Sequence, residues 1–232
     1  MFDISHEEIM NINKNKKQIL SKSLKNAAQC IRCGTCCQKG GPTLHVEDKQ
    51  ILLAGHIGRE NLITIRKGEW AFSPLSGRLA PVQQEFIKIA GKAKGWVCCF
   101  YNEEKSSCTL YAHRPLECRL LKCWDTAELL SVVGKHILSR ADIICSDDPL
   151  MNIIEAQEKE CSVLMTEELI SVLLEKKNDT KSLAKLTALV HRDITIRSRA
   201  IAEFGLSLEA ELFLFGRPLF KILSARGFQF MK

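Results

Sequence analysis

Four cysteines fall within eight residues at Cys30-Ile31-Arg32-Cys33-Gly34-Thr35-Cys36-Cys37, and five more, Cys98, Cys99, Cys108, Cys118 and Cys123, lie between Trp96 and Trp124. Thiols at this density form either an oxidised disulfide framework or, reduced, a set of metal-binding thiolates. The C-x2-C-x2-C spacing of Cys30, Cys33 and Cys36 is that of the three close ligands of a bacterial ferredoxin cluster, with a fourth drawn from elsewhere. It also contains the C-x2-C knuckle of zinc sites. Two such groups about sixty residues apart imply one composite site assembled by the fold.

Each thiol has its own prospects. On a helix, Cys30, Cys33 and Cys37 share a stripe, while Cys36 sits about 100° from Cys37. The run is therefore partly loop, or the adjacent pair serves different atoms. Cys98 and Cys99 are neighbours on an expected strand and point to opposite faces, so one of them faces the site. Cys108, Cys118 and Cys123 are candidate ligands by their density. Cys118 falls near the start of a short helix opened by Arg114-Pro115, where the helix end favours a thiolate. Cys145 and Cys161 stand alone on helical patterns and are expected to be buried, inert thiols.

The remaining chemistry-bearing residues narrow the class. The six histidines contain no H-x3–5-H pair, which excludes a Cys2His2 finger. His113 is the one histidine beside the second group and is expected to be a surface or capping residue. Arg114 and Arg119 flank Cys118; they would offset thiolate charge, bind an anionic substrate, or pair with carboxylates such as Glu117. There is no G-x-G-x-x-G after a strand, no P-loop, no nucleophile elbow and no H-E-x-x-H. Any reaction must therefore be carried by the cysteine site or by a pocket without a sequence signature.

Eleven cysteines in 232 residues, with no basic and apolar leader in Met1 to Glu8, point to a reducing, cytoplasmic setting in which thiols bind metal. No apolar run reaches the roughly 18 residues of a membrane span. The net charge of +6 owes much to Lys14, Lys16, Lys17, Lys22 and Lys25. Without interleaved aromatics or glycines these read as a solvated helix face, and a nucleic-acid partner is not expected.

The elements that must position the thiols follow from local signals. Ser5 to Glu8 has capping-box spacing and opens a helix over about 6–28 that delivers the chain to Cys30. A short helix is expected over Val46 to Ala54, and strands over Leu62 to Arg66, Glu85 to Ala90 and Trp96 to Tyr101. Phe86 to Ile89 and Trp96 to Phe100 would form a hairpin through Gly91 to Gly95. Asn102 to Ser107 makes a polar turn leading to Cys108. Beyond Trp124 the pattern is helical: Asp125 through about Ser139, Asp148-Pro149 onward to Leu173, Leu183 to Phe204, and Leu208 to Leu223. The expected fold is α+β: a small irregular β layer with short helices carrying a cysteine-ligated metal site, then a helical lobe. The division falls between a cysteine-cluster domain, 1–124, and the lobe, 125–232.

The two cysteine segments resemble the CxxCxxCC cysteine-cluster family, whose members are described as zinc- or iron-chelating. Its first signature is similar to Cys30-x2-Cys33-Gly34-x-Cys36-Cys37. Its second is similar to Cys98-x-Phe100 followed by Cys108-Thr109-Leu110-Tyr111-x2-Arg114-Pro115-x2-Cys118-Arg119. In that pattern Cys98, rather than Cys99, takes the ligand position, and Cys123-Trp124 fits a further cysteine found in part of the family. The likeness covers about residues 28–125 and implies bound metal without fixing a reaction. One branch resembles flagellin lysine N-methylase, which offers a metal-dependent protein-modifying enzyme as the alternative. The reading favoured here is a redox or structural/binding metalloprotein. Its ligands come from Cys30, Cys33, Cys36, Cys37, Cys98, Cys108, Cys118 and Cys123. With no histidine among eight candidate thiols, a [4Fe–4S] cluster is favoured over Zn2+. A protein partner is compatible with this reading but has no signature in the sequence.

Overall fold

The structure, a computed structural model, describes residues 32–92, 95–176 and 178–228. Cys30, the helix expected over 6–28 and its lysines lie outside the described residues. The fold is α+β. Its strands pair two by two: β1 (Leu62–Ile65) with β4 (Phe86–Ile89), β2 (Trp70–Ser73) with β3 (Arg78–Pro81), and β5 (Tyr101–Asn102) with β6 (Ser107–Cys108), all antiparallel.

The β1–β4 pair is the frame. β1 is buried along its whole length, so its β-branched residues fill space on both faces. Leu62 joins Ile87, Ile89, Leu44 and Leu138 in the largest apolar cluster, while Ile63 and Ile65 face Ala90, Ala71 and Val82. Leu44 and Leu138 are threaded onto this frame by backbone bonds: Leu44 N donates to Ile87 O, Ile87 N to Leu138 O, and Leu138 N to Leu44 O, each at 2.9 Å.

The expected strand over Trp96 to Tyr101 does not form. Gly91 and Cys98 make one isolated bridge, and Tyr101 N donates to Cys98 O at 2.9 Å, turning the chain just where a strand would continue. β4 therefore pairs with β1 rather than with 96–100. The hairpin of β2 and β3 is an addition to the expected strands.

Short helices follow the β frame. Val46–Asp48 is a 3-10 turn leading into α2 (Lys49–Leu53); α1 (Thr35–Gln38) precedes it, and α3 (Leu116–Leu120) carries Cys118. The helix expected from Asp125 to Ser139 is only α4 (Ala127–Val132). Left-handed backbone at Gly134 (φ 74°) and His136 (φ 49°) ends it early.

The long helices start where the caps say. Asp148 accepts from Leu150 N at 3.0 Å to open α5 (Pro149–Glu160), with proline at its first position. Ser162 caps α6 (Val163–Glu175), Asp179 caps α7 (Thr180–Phe204), and Ser207 caps α8 (Leu208–Phe215). The single helix expected over Leu208 to Leu223 is two, because Gly216 at φ 63° and Pro218 separate α8 from α9 (Leu219–Ala225). A side chain at Gly216 would lie 2.8 Å from Thr64 O, so the break lets α8 sit close against β1.

Buried arginines lock that break. Arg197 donates to Glu211, Phe215 O and Gly216 O at 2.7–3.0 Å. Arg140, 2% exposed, holds Glu85 and Glu158 and donates to Leu214 O at 2.6 Å. The largest apolar cluster thus draws on residues from Leu44 to Phe215. A second cluster, with Cys161, Ile170, Leu186 and Leu219 at its heart, is wholly helical.

Candidate metal centre

The first cysteine segment is bent by Gly34, whose φ of 74° only glycine adopts at low cost. A Cβ there would fall 1.9 Å from the hydroxyl of buried Tyr101, so the knuckle is seated directly on that ring. Helix α1 begins only after this bend. Cys33 lies outside it, and Cys36 and Cys37 share its single turn with their Sγ atoms 3.9 Å apart. Both adjacent thiols therefore reach the same space. The knuckle is joined to the second segment by Cys98 N, which donates to Cys37 O at 2.8 Å.

The β5–β6 hairpin sets Cys108 opposite Tyr101, and Thr109 N donates to Phe100 O at 2.8 Å. Helix α3, with Cys118 at its middle, is tied down by a polar network that no sequence signal marked. Asp48 accepts from Leu116 N and His45 N at 2.8 and 2.9 Å. Glu117 accepts from Thr43 N at 2.8 Å and lies 3.4 Å from His45 Nε2. His45 Nδ1 meets Lys135 O at 2.8 Å. His45 and Asp48 are almost wholly buried, so each of these bonds must be made.

Cys36, Cys37, Cys98, Cys108 and Cys118 line one cavity of about 150 Å³. Its other walls are mainly apolar, including Ile89, Phe100, Leu110, Pro115, Leu121 and Leu129, with Arg114 and Glu117 as the charged groups. Cys33 and Cys123 do not line it; Cys33 Sγ lies 3.2 Å from Thr35 Oγ1, and Cys123 is exposed. Cys99 also stands off the cavity, with its thiol toward Asn61 O. Cys161 is fully buried, as expected of a packing thiol, but Cys145 is exposed in a loop and not on a helix. No disulfide joins any two of the ten described cysteines.

The thiols feel one another. Burial, then the proximity of Cys36, Cys98 and Cys108, pushes the Cys37 thiol up to about 12. Cys118 is pushed up by burial and by repulsion from Cys98, Cys36, Cys37 and Cys108. Cys108 rises by burial, against the pull of Arg114. A hydrogen bond with Cys99 raises Cys98 and lowers Cys99. Four or five thiolates cannot share this space unaided; a cation held by Cys36, Cys37, Cys98, Cys108 and Cys118 would supply the compensating positive charge. Lys88 is close enough to feel Cys98 and Glu117, though burial lowers its own affinity for a proton.

Among the described residues, no three His, Cys, Asp or Glu side chains meet at metal-ligand distances; the thiols ring a space instead. The donor set fits the group in kind: soft sulfur, free and reduced, suits zinc or iron. Arg114 and Glu117 do not pair. Arg114 stacks on Tyr111 at 4.0 Å, as Arg32 does at 4.3 Å, and donates to Cys118 O at 3.4 Å. His113 is an exposed residue whose ring stacks 3.6 Å from that of His56.

A reduced, thiol-lined cavity on a mixed scaffold of small sheets and helices defines a metal-chelating module. The model of the CxxCxxCC family, described as "Putative zinc- or iron-chelating domain", matches residues 29–161, more than half of the chain, and the chain belongs to that family. No curated protein and no solved structure matches the chain.

Proposed function

We propose that this protein is a cytoplasmic metalloprotein in which Cys36, Cys37, Cys98, Cys108 and Cys118, with Cys30, Cys33 and Cys123 as the remaining candidates, hold a [4Fe–4S] cluster in a redox or structural role. The observation that carries the reading is the convergence of five thiols on one cavity of about 150 Å³. A water needs only about 10–15 Å³ of such space, so there is room for a multi-atom group. Five sulfurs also exceed the four of a structural zinc. When bound, such a cluster takes up and gives up electrons at a potential set by charge, hydrogen bonds and solvent access. The chain's own residues act on those three terms. Ile89, Phe100, Leu110 and Leu129 exclude water. Arg114 and Lys88 bring positive charge toward Cys108 and Cys98. The Asp48, Glu117 and His45 network fixes the helix bearing Cys118.

Anaerobic purification followed by iron, sulfide and zinc analysis and a visible spectrum tests this. Brown protein with a broad band near roughly 400 nm and about four irons and four sulfides per chain is the expected result. Colourless protein with stoichiometric zinc overturns the cluster and makes the site structural or Lewis-acidic.

A further inference from the structure

The thiols that converge on the cavity are not equally placed to react with one another. Cys36 and Cys37 have their Sγ atoms 3.9 Å apart, are half-buried, and both line the cavity. The other adjacent pair is held by packing: Cys98 lies in the core, and the Cys99 thiol is turned to Asn61 O. Cys33 Sγ meets Thr35 Oγ1. The backbone around Cys36 and Cys37 can give way. Helix α1 is a single turn with no capping side chain and no buried residue. Gln38 N closes it by donating to Gly34 O at 2.9 Å, and glycines at positive φ flank it, Gly34 at 74° and Gly40 at 133°. A run this short gains little from its own hydrogen bonds. Adjacent Cα atoms lie about 3.8 Å apart, below the usual lower limit of about 4.4 Å for a disulfide, so a ring closed across them must open the helical turn. Such a bond is strained and easily returned to thiols. Helix and ring exclude each other.

We propose that Cys36 and Cys37 are an oxidation site: in the metal-free chain a hydroperoxide joins them in a vicinal disulfide, which unwinds α1 and closes the cavity to metal. Gating by metal rests on the proposed centre at this cavity, where a bound ion would occupy both sulfurs. One thiolate attacks the peroxide oxygen, forming a sulfenic acid and releasing an alcohol, or water when the oxidant is hydrogen peroxide. The neighbouring thiol then displaces water from the sulfenic acid. Two thiols are oxidised, one peroxide is reduced, and both thiol protons leave in the released alcohol and water. The turn also carries the Cys37 carbonyl that accepts from Cys98 N at 2.8 Å, so opening it loosens the knuckle from the second segment.

Full-length protein, as purified with its metal and after stripping by a chelator, is treated with hydrogen peroxide and mapped by mass spectrometry. Digestion after Arg32 and Lys39 releases the peptide from Cys33 to Lys39. In the stripped chain it should be lighter by one pair of hydrogens, and fragmentation between Cys33 and Cys36 should place the loss on Cys36 and Cys37. Dithiothreitol should reverse it. Uptake of added zinc should fall severalfold on oxidation and return on reduction, and the loaded chain should oxidise far more slowly than the stripped one. Cys37→Ser should instead leave Cys36 as a sulfinic acid that dithiothreitol does not reverse. A disulfide from either residue to Cys33, Cys98, Cys108 or Cys118 overturns the proposal. So do sulfinic acids alone in the native chain, or equal rates with and without metal. Protein that holds neither iron nor zinc as purified defeats the metal-centre reading alone, because mapping the disulfide needs no metal.

Discussion

At the scale of single residues, position around the cavity separates thiols that the sequence presents alike. Cys118 lines the cavity, and Cys161 sits fully buried in the helical cluster away from it. Cys118→Ser should lower bound metal severalfold, measured by metal analysis of the purified chain, whereas Cys161→Ala should leave metal content at the native value while costing about 1 kcal/mol or more in packing. Gly34 makes a sharper test, because changing it removes no sulfur. Gly34→Ala places a Cβ on the Tyr101 hydroxyl and strains a φ of 74°. Metal content should fall although every thiol remains, and a native content in this variant would mean that the knuckle is not held by Tyr101.

At the scale of elements, helix α3 is only five residues long, so its place depends on what grips it. Glu117→Ala strips the acceptor from Thr43 N and leaves His45 Nε2 short of a partner. A loss of about 1–3 kcal/mol in denaturant unfolding is expected, together with weaker metal retention against a chelator. The turn Arg140–Asp142 gives a pH signature. The Ser139 hydroxyl and backbone N–H hold Asp142 below the usual carboxylate range. A depressed carboxylate stabilises the fold above its unfolded value and loses that contribution as pH falls through the folded one. Asp142→Asn should therefore cost only a little stability at neutral pH, since the carboxylate is exposed and screened, and the difference from native should vanish in acid. The α+β class, the strands β1 and β4 and the cap at Asp148 were legible in the sequence because each is a local signal. The partner of β4 was not, since period 2 identifies an extended segment without saying what it pairs with. The grip on α3 was equally hidden: Glu117, His45 and Asp48 look like surface side chains until residues about seventy apart are brought together.

At the scale of the molecule, Arg140 joins β4's flank, α5 and the end of α8 through Glu85, Glu158 and Leu214 O. Arg140→Met should cost about 3 kcal/mol in thermal or denaturant unfolding, the lower end for a broken buried pair, because both glutamates keep some solvent. The cavity has a consequence at this scale too. Its thiols come from positions as distant as Cys36 and Cys118, about eighty residues apart along the chain. A centre that joins them is a cross-link, and closing a loop of that length removes about 4–5 kcal/mol of freedom from the unfolded chain. That is a large part of a domain's whole stability. With such a centre bound, occupancy would set lifetime: an emptied chain would open more often, and proteases, acting on the opened form, would clear it first.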